Sequence, residues 1–298
     1  SDASFRRYFR VFSDTLSQDA GAGVSRIVMD APPDKEDSQP FVDVADRLRK
    51  AGVHAPEIIA SDLQRGWLLL EDLGDELYKT AFERGDAETL VGQIFTVLES
   101  QARRVSCKGL PAYDRGRLQT ELDLFPDWYL ARALRDPFAV DELAHWQSLC
   151  SLLCGSAAEQ PQVFVHRDFH SCNLMYRQGS APGVIDFQDA VCGPLSYDLM
   201  SILLDRYIPW PRAQLEAWME AFRQRVAPDI DPSQWLRWCD WVGLQRNLKV
   251  IGIFARLSHR DGKNGYLELI PRFAGYVRDV LGRYSELQDY QSLLERRL

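Results

Sequence analysis

The stretch "VFVHRDFHSCNLMYR", residues 163–177, constrains this chain more than any other. It begins and ends as apolar strand, yet carries His166, Arg167, Asp168, His170 and Asn173 in its middle. A buried strand does not tolerate that much charge, because charged and polar groups taken out of water without partners are strongly destabilising. The segment must break into strand, polar loop and strand. Such a loop is either a plain turn or a place where chemistry is done, and the rest of the chain has to decide.

The residues that follow give the loop a partner. A strand-like "LMYR", a turn at "QGSAPG" and a returning "GVIDF" predict a hairpin. That hairpin would carry Asp186 back beside Asn173, forming a pocket with one amide oxygen and the carboxylates of Asp168 and Asp186. Hard oxygen donors of this kind suit Mg²⁺ carrying nucleotide phosphates. Taken singly, each residue reads as a turn or a helix cap. Their joint order and spacing make coincidence a poor explanation. A rival comes from His166, Asp168 and His170, whose alternation would turn all three to one side of a strand as metal ligands. A zinc hydrolase needs further ligands, and His54, His145 and His259 fall in no ligand-spaced cluster. A nucleotide-binding module without catalysis is disfavoured as well, since all three chemistry-bearing positions are intact.

At 298 residues the chain has room for two domains or one large two-lobed one. Its first third alternates: "FRRYFRVF" and "SRIVMDA" read as strands around the polar loop "SDTLSQDAGAG". "QPFVDVADRLRKAG" has helical spacing with Phe41, Ala45 and Leu48 on one face, and "EIIASD" with "GWLLLED" reads as a strand pair. From about Asp75 the pattern changes to long helices, near 86–105, 115–133, 138–157, 195–206, 211–226, 233–257 and 266–281. The fold class is therefore α+β: a small β-rich lobe over residues 1–73 and a larger α-helical lobe over 74–298, joined at "EDLGD". Two such lobes predict a cleft, where ligands prefer to sit.

Composition narrows the partners. A hydrophobic fraction of 46% is that of an ordinary globular protein, and a net charge of −8 argues against nucleic acid as the main partner. No apolar run approaches a membrane span and no charged-then-apolar leader is seen, so a cytoplasmic protein without a membrane partner is expected. The six cysteines are scattered with no CxxC, which fits free thiols in a reducing compartment.

HxDxxxxN followed by a strand ending in Asp-Phe resembles the catalytic loop and metal-binding segment of protein-kinase-like enzymes. "HRDFHSCN" together with "DFQDAVCGPLSYDLMSIL" resembles the aminoglycoside phosphotransferase family of small-molecule kinases. The resemblance runs from the loop at Ser1–Arg7, through a hinge at "LLLEDLG", to Asp198. It implies a two-lobed protein-kinase-like fold, with ATP and Mg²⁺ as cofactors. Carried over, it makes Asp168 the catalytic base and gives Mg²⁺ to Asn173 and Asp186. It makes His166 a structural member of the loop that binds backbone, and Asp198 a structural brace. Glu71 and Leu73 in the hinge would bind the nucleotide.

The pattern also departs from that of protein kinases, which cover the phosphates with a Gly-rich loop and reach them with a strand-three Lys. The phosphate loop "SDASFRRYF" has no glycine, and Met29 and Asp30 stand where a strand lysine is expected. Ser1, Ser4, Arg6 and Arg7 are the nearest groups able to meet phosphate oxygens, unless the arginines merely line the solvent face of an edge strand. The following helix offers Asp43 and Asp46 in place of a glutamate. The first strand of the small lobe would then lie upstream of Ser1 or be missing.

Three segments, "VMDAPPDKED", "LFPDWYLAR" and "LQRNLKVIGIFARLSHRDGKNGYLELIPR", resemble the anomeric amino-sugar kinases. Those enzymes phosphorylate C1 of N-acetylmuramate and N-acetylglucosamine in cell-wall recycling. A hemiacetal hydroxyl is more acidic than an ordinary alcohol, so an Asp base suffices and positioning does the rest. Arg246, Lys249 and Arg256 on the long C-terminal helix, or Arg132, would meet a lactyl carboxylate, and Trp128 beside Asp127 would offer a face to the sugar ring. Trp235, Trp238 and Trp241, spaced i, i+3, i+6, read instead as a core stripe. An aminoglycoside or other small-alcohol phosphotransferase is the alternative within the fold; the basic C-terminal segment counts against a polycationic substrate.

Overall fold

A computed structural model of the chain describes residues 5–13 and 24–298. In chain order its strands and helices are β1 (Arg7–Ser13), β2 (Val24–Asp30), α1 (Gln39–Lys50), β3 (Ile58–Asp62), β4 (Trp67–Glu71), α2 (Tyr78–Arg84) and α3 (Ala87–Arg104). They continue with α4 (Arg115–Leu122), a π-helical segment (Phe125–Leu134), α5 (Val140–Glu159), β5 (Gln162–Val165), β6 (Leu174–Met175), β7 (Gly183–Val184) and β8 (Val191–Pro194). The last are α6 (Tyr197–Leu203), α7 (Arg212–Val226), α8 (Pro232–Asp261), α9 (Ile270–Arg283) and α10 (Gln288–Glu295). The chain forms two compact units, Ser1–Lys108 with His166–Ala190, and Gly109–Val165 with Val191–Leu298.

The first unit is built on a four-stranded antiparallel sheet in the order β1-β2-β4-β3. Strand β4 alternates as a half-buried strand must, with Leu68 and Leu70 inside and Trp67 out. Helix α1 buries Phe41, Val44, Ala45 and Leu48, a stripe at i, i+3, i+4, i+7. Strands β6 and β7 form the expected hairpin, pairing Leu174 with Val184 and Met175 with Gly183. Val184 N–H donates to His54 O at 2.8 Å, and the Phe41 and Phe187 rings lie 4.8 Å apart. The hairpin and the loop around it are thus fixed to α1. This unit is larger than the 1–73 segment, adding α2, α3 and His166–Ala190.

The second unit is helical and centres on α8, 30 residues long. Asp231 caps its start, accepting from Ser233 N and Gln234 N, and Gly262 ends it at φ 70°. The tryptophan stripe is core: Trp235, Trp238 and Trp241 are all buried. Gly252 permits a close approach, since a Cβ there would stand 2.4 Å from the Leu124 backbone carbon. The single helix expected over 115–133 is broken. Pro126 lacks an N–H and crowds the preceding turn, and the chain continues from Phe125 in π-helical register.

Candidate active site

Each acid of the site is followed by a fully buried phenylalanine. Phe169 and Phe187 are both 0% exposed, while Asp168 and Asp186 are exposed. Burying a phenylalanine is worth about 1.5–3 kcal/mol, and here it anchors the backbone that presents the carboxylate. The strand expected through "GVIDF" stops pairing at Val184, and Asp186 turns out of it at φ 64°. Arg167 does the same before Asp168, at φ 75°. Left-handed backbone costs about 1–2 kcal/mol for a residue with a Cβ, so the fold must hold both positions.

Hydrogen bonds do so. His166 is 0% exposed and its Nε2 lies 3.0 Å from Ile185 O, so it binds backbone. Ile185 N–H donates to Asn173 O at 3.1 Å. Within the loop the Asp168 carbonyl accepts from His170 N–H at 3.0 Å and from Asn173 Nδ2 at 2.9 Å, and Asn173 N–H donates to His170 O at 2.8 Å. Asn173 Nδ2 also lies 3.4 Å from Asp186 Oδ2, and Gln188 Nε2 donates to Asp186 Oδ1 at 3.0 Å. Asp168, Asn173 and Asp186 are therefore gathered by one loop and one hairpin. Among the described residues no three His, Cys, Asp or Glu side chains form a metal-binding group. Asn173 and Asp186 offer one amide and one carboxylate.

The arginines of the N-terminal segment already have acidic partners. Arg6 pairs with Glu36 at 3.1 Å, the Phe5 N–H donates to the same carboxylate at 3.0 Å, and Arg7 pairs with Asp30. Met29, in place of a strand lysine, is 0% exposed. Ser4 lies outside the described residues. Tyr8 was not singled out from sequence, yet its hydroxyl is raised above the usual phenol range by burial and by the nearby charge of Asp186, against a hydrogen bond and charge from Arg6. Its spacing of two from Arg6, at the start of an expected strand, was the available signal.

Glu71 ends β4 in a cluster with His54 Nε2 at 3.0 Å, Arg177 Nη1 at 3.5 Å and Arg49 Nη1 at 3.6 Å. Burial raises its carboxyl, but the hydrogen bonds from His54 and Glu57 N–H and the charge of Arg49 prevail and hold it below the usual range. Leu73 is buried against Gly183. Arg10 of β1 reaches Asp72 at 2.6 Å and Asp75 at 2.7 Å, tying the edge strand to this link.

In the second unit, Asp127 is exposed and Trp128 half-buried on the π-helical segment. Partial desolvation and the neighbouring Asp123 raise the Asp127 carboxyl, opposed by Arg132. Asp198 is buried in the first turn of α6. Lys249 pairs with Glu121 at 3.0 Å and donates to Tyr197 Oη at 3.2 Å; Tyr113 completes the cluster, its hydroxyl bonded to Glu121 and 2.9 Å from that of Tyr197. The Lys249 charge is thus answered inside its own unit. Arg246 is also buried, but its Nη1 has no hydrogen-bond partner.

A family model described as the phosphotransferase enzyme family matches residues 1–236. The chain belongs to this family. It is 45% identical to an N-acetylmuramate/N-acetylglucosamine kinase of Pseudomonas aeruginosa, over 99% of this chain and 86% of that protein. Identity to the enzyme of the same name from Neisseria meningitidis serogroup B is 40%, over 99% and 88%. Among solved structures it resembles an ethanolamine kinase of Plasmodium vivax, with a TM-score of 0.63 and 12% identity over 91% of this chain and 82% of that one. It also resembles a thermostable mutant of aminoglycoside phosphotransferase APH(4)-Ia in ternary complex with AMP-PNP and hygromycin B. That TM-score is 0.57, at 18% identity over 92% and 90%. The protein is a phosphotransferase with the protein-kinase-like fold expected from its sequence. No helix among the described residues is long and apolar enough to cross a membrane.

Proposed function

We propose that the enzyme transfers the γ-phosphoryl group of ATP to the anomeric hydroxyl of N-acetylmuramate and N-acetylglucosamine, with Mg²⁺ held by Asn173 and Asp186. The observation that carries the phosphoryl-transfer chemistry is the gathering of Asp168, Asn173 and Asp186 in one loop and hairpin, with Asn173 Nδ2 3.4 Å from Asp186 Oδ2. The substrate class rests on the relatives at 40–45% identity.

Asp168 accepts the proton of the sugar C1 hydroxyl as that oxygen bonds to the γ-phosphorus. The bond from the γ-phosphorus to the bridging oxygen of ADP breaks, and ADP leaves with the electron pair. A positioned base of this kind contributes about 10²–10⁴-fold in rate. The Asp168 carbonyl is fixed by two donors, so the backbone that presents its carboxylate is held in place, and positioning contributes to the acceleration. A metal ion at Asn173 and Asp186 would neutralise charge on the phosphates. The oxygen donors fit magnesium, which prefers one or two carboxylates with phosphates and water.

Arg6 and Arg7, with Ser4, would meet the phosphates in place of the missing lysine, exchanging Glu36 and Asp30 for phosphate oxygens. Glu71 and Leu73 would line the nucleotide base. For the sugar, Arg246 is the better candidate for the lactyl carboxylate, because Glu121 already answers Lys249; Trp128 and Asp127 would meet the ring. Measuring ADP release with a panel of N-acetylmuramate, N-acetylglucosamine, kanamycin, choline and ethanolamine tests the assignment. Turnover should be confined to the N-acetylated sugars, and turnover of the aminoglycoside or the amino alcohols alone would overturn it.

A further inference from the structure

Helix α8 carries Asp240, Gly243 and Asn247 three and four residues apart, and so along one face. Asp240 and Asn247 line a pocket of about 140 Å³ whose walls also include Met200, Leu204, Trp210 and Tyr276. Gly243 shapes one wall, since a Cβ there would stand 3.1 Å from Leu204 Cδ1 and 3.2 Å from Met200 Cε. Glycine lets those side chains close in.

Most polar groups around the pocket are satisfied. Asp240 accepts from Arg212 Nη1 at 2.6 Å, Arg212 Nη2 at 2.8 Å and Tyr284 Oη at 2.7 Å. Asp279 accepts from Arg283 Nε at 2.9 Å. Asn247 differs: it is 0% exposed, and neither its Nδ2 nor its Oδ1 has a hydrogen-bond partner. The Tyr276 hydroxyl is buried without one as well. Burial raises the Tyr276 hydroxyl against the charge of Arg272, so it stays a neutral donor. A buried polar group left without any partner costs about 1–3 kcal/mol, so an amide and a hydroxyl lining one pocket call for a polar occupant there.

Asn247 Oδ1 needs a donor and the Tyr276 hydroxyl needs an acceptor, so the ligand must supply both. A carboxylate or phosphate only accepts and leaves Asn247 Oδ1 unmet, and the cation on the wall, Arg212, is already paired with Asp240. An ammonium only donates. A neutral amide does both. In a trans secondary amide the N–H and C=O point to opposite edges, so one group can engage Asn247 on one side and Tyr276 on the other. Size agrees, because a cavity of about 150 Å³ admits benzene; an acetamido group fits and a whole amino sugar does not.

We propose that this pocket receives the acetamido group of the sugar substrate, with Asn247 and Tyr276 as its hydrogen-bond partners, an inference that rests on the amino-sugar assignment above. Asn247 follows Arg246, and the acetamido and lactyl groups of N-acetylmuramate sit on neighbouring carbons. The test compares kcat/KM for N-acetylglucosamine and glucosamine in the wild-type enzyme, Asn247→Leu and Tyr276→Phe, with melting temperatures and ligand-observed NMR of N-methylacetamide, acetate and trimethylammonium. Asn247→Leu should melt at or above the wild-type temperature, since it removes an unmet polar group. It should lose about 10- to 100-fold on N-acetylglucosamine and several-fold less on glucosamine, and it should no longer bind N-methylacetamide; Tyr276→Phe should shift in the same direction. Equal losses on both sugars, no loss, or binding of acetate or trimethylammonium in place of N-methylacetamide would overturn the pocket assignment. If the wild type turns over no N-acetylated sugar, the functional assignment fails, and the NMR titration decides the pocket by itself.

Discussion

Asn173 Nδ2 stands 3.4 Å from Asp186 Oδ2 although the two residues are 13 apart in sequence. The β6–β7 hairpin sets that distance, and the left-handed turn at Asp186 aims the carboxylate. Charge and dipole contribute differently to a divalent cation. Asp186→Asn, which keeps a residue tolerant of left-handed backbone, should remove Mg²⁺-dependent ATP binding, and Asn173→Ala should weaken it less. Calorimetric titration of ATP with and without Mg²⁺ reads both effects.

Asp168→Asn keeps the shape of the side chain and the backbone carbonyl bonded by His170 and Asn173. Turnover should fall by about 10²–10⁴-fold while Mg·ATP affinity stays within about twofold, since the amide cannot take the hydroxyl proton. Single-turnover kinetics with saturating sugar separates the two quantities; retained turnover removes Asp168 from the role of base.

The candidate catalytic segment was legible because it is local. Its charges, the turn at "QGSAPG" and the apolar "GVI" lie within 25 residues, and the hairpin they predict is present. What was not legible depends on pairing and tertiary approach. Tyr8 senses Asp186 only because of how β1 is placed, and Gln188 reaches Asp186 only because Asp186 leaves the strand. Lys249 and Arg246 look alike in a basic helical run, yet packing gives one a carboxylate and the other none. The break after α4 escaped for another reason. Helical periodicity hardly separates α from π register, and Pro126 was the one clue.

The Lys249–Glu121 pair is buried, with side-chain exposures of 10% each. Lys249→Met leaves Glu121 uncompensated and should destabilise the protein by about 3–5 kcal/mol. Lys249→Met with Glu121→Gln should recover part of that loss. Urea unfolding of the single and double variants measures the difference.

Glu71 is held below the usual carboxylate range by His54, Glu57 N–H and Arg49, despite its burial. A depressed folded pKa contributes stability above the unfolded value, about 4.3 for glutamate, and that stability is lost as pH falls through the folded pKa. Glu71→Gln should therefore lower the melting temperature at pH 7, and the gap to wild type should shrink steadily below pH about 4. Thermal melts at pH 7 and pH 3 give the sign directly.

Arg246→Ala should raise KM for N-acetylmuramate more than for N-acetylglucosamine, which has no lactyl carboxylate. The difference expected is that of one charge-assisted hydrogen bond, about 1.5–3 kcal/mol. Steady-state kinetics on the two sugars measures it, and equal changes would take Arg246 out of carboxylate recognition.

Phosphorus NMR of the product formed from ATP, Mg²⁺ and N-acetylmuramate tests the central claim most directly. Coupling of phosphorus to the anomeric proton, present with the wild-type enzyme and lost with Asp168→Asn, is the result this account predicts. Coupling to the C6 protons, or product that forms equally fast with Asp168→Asn, would contradict it.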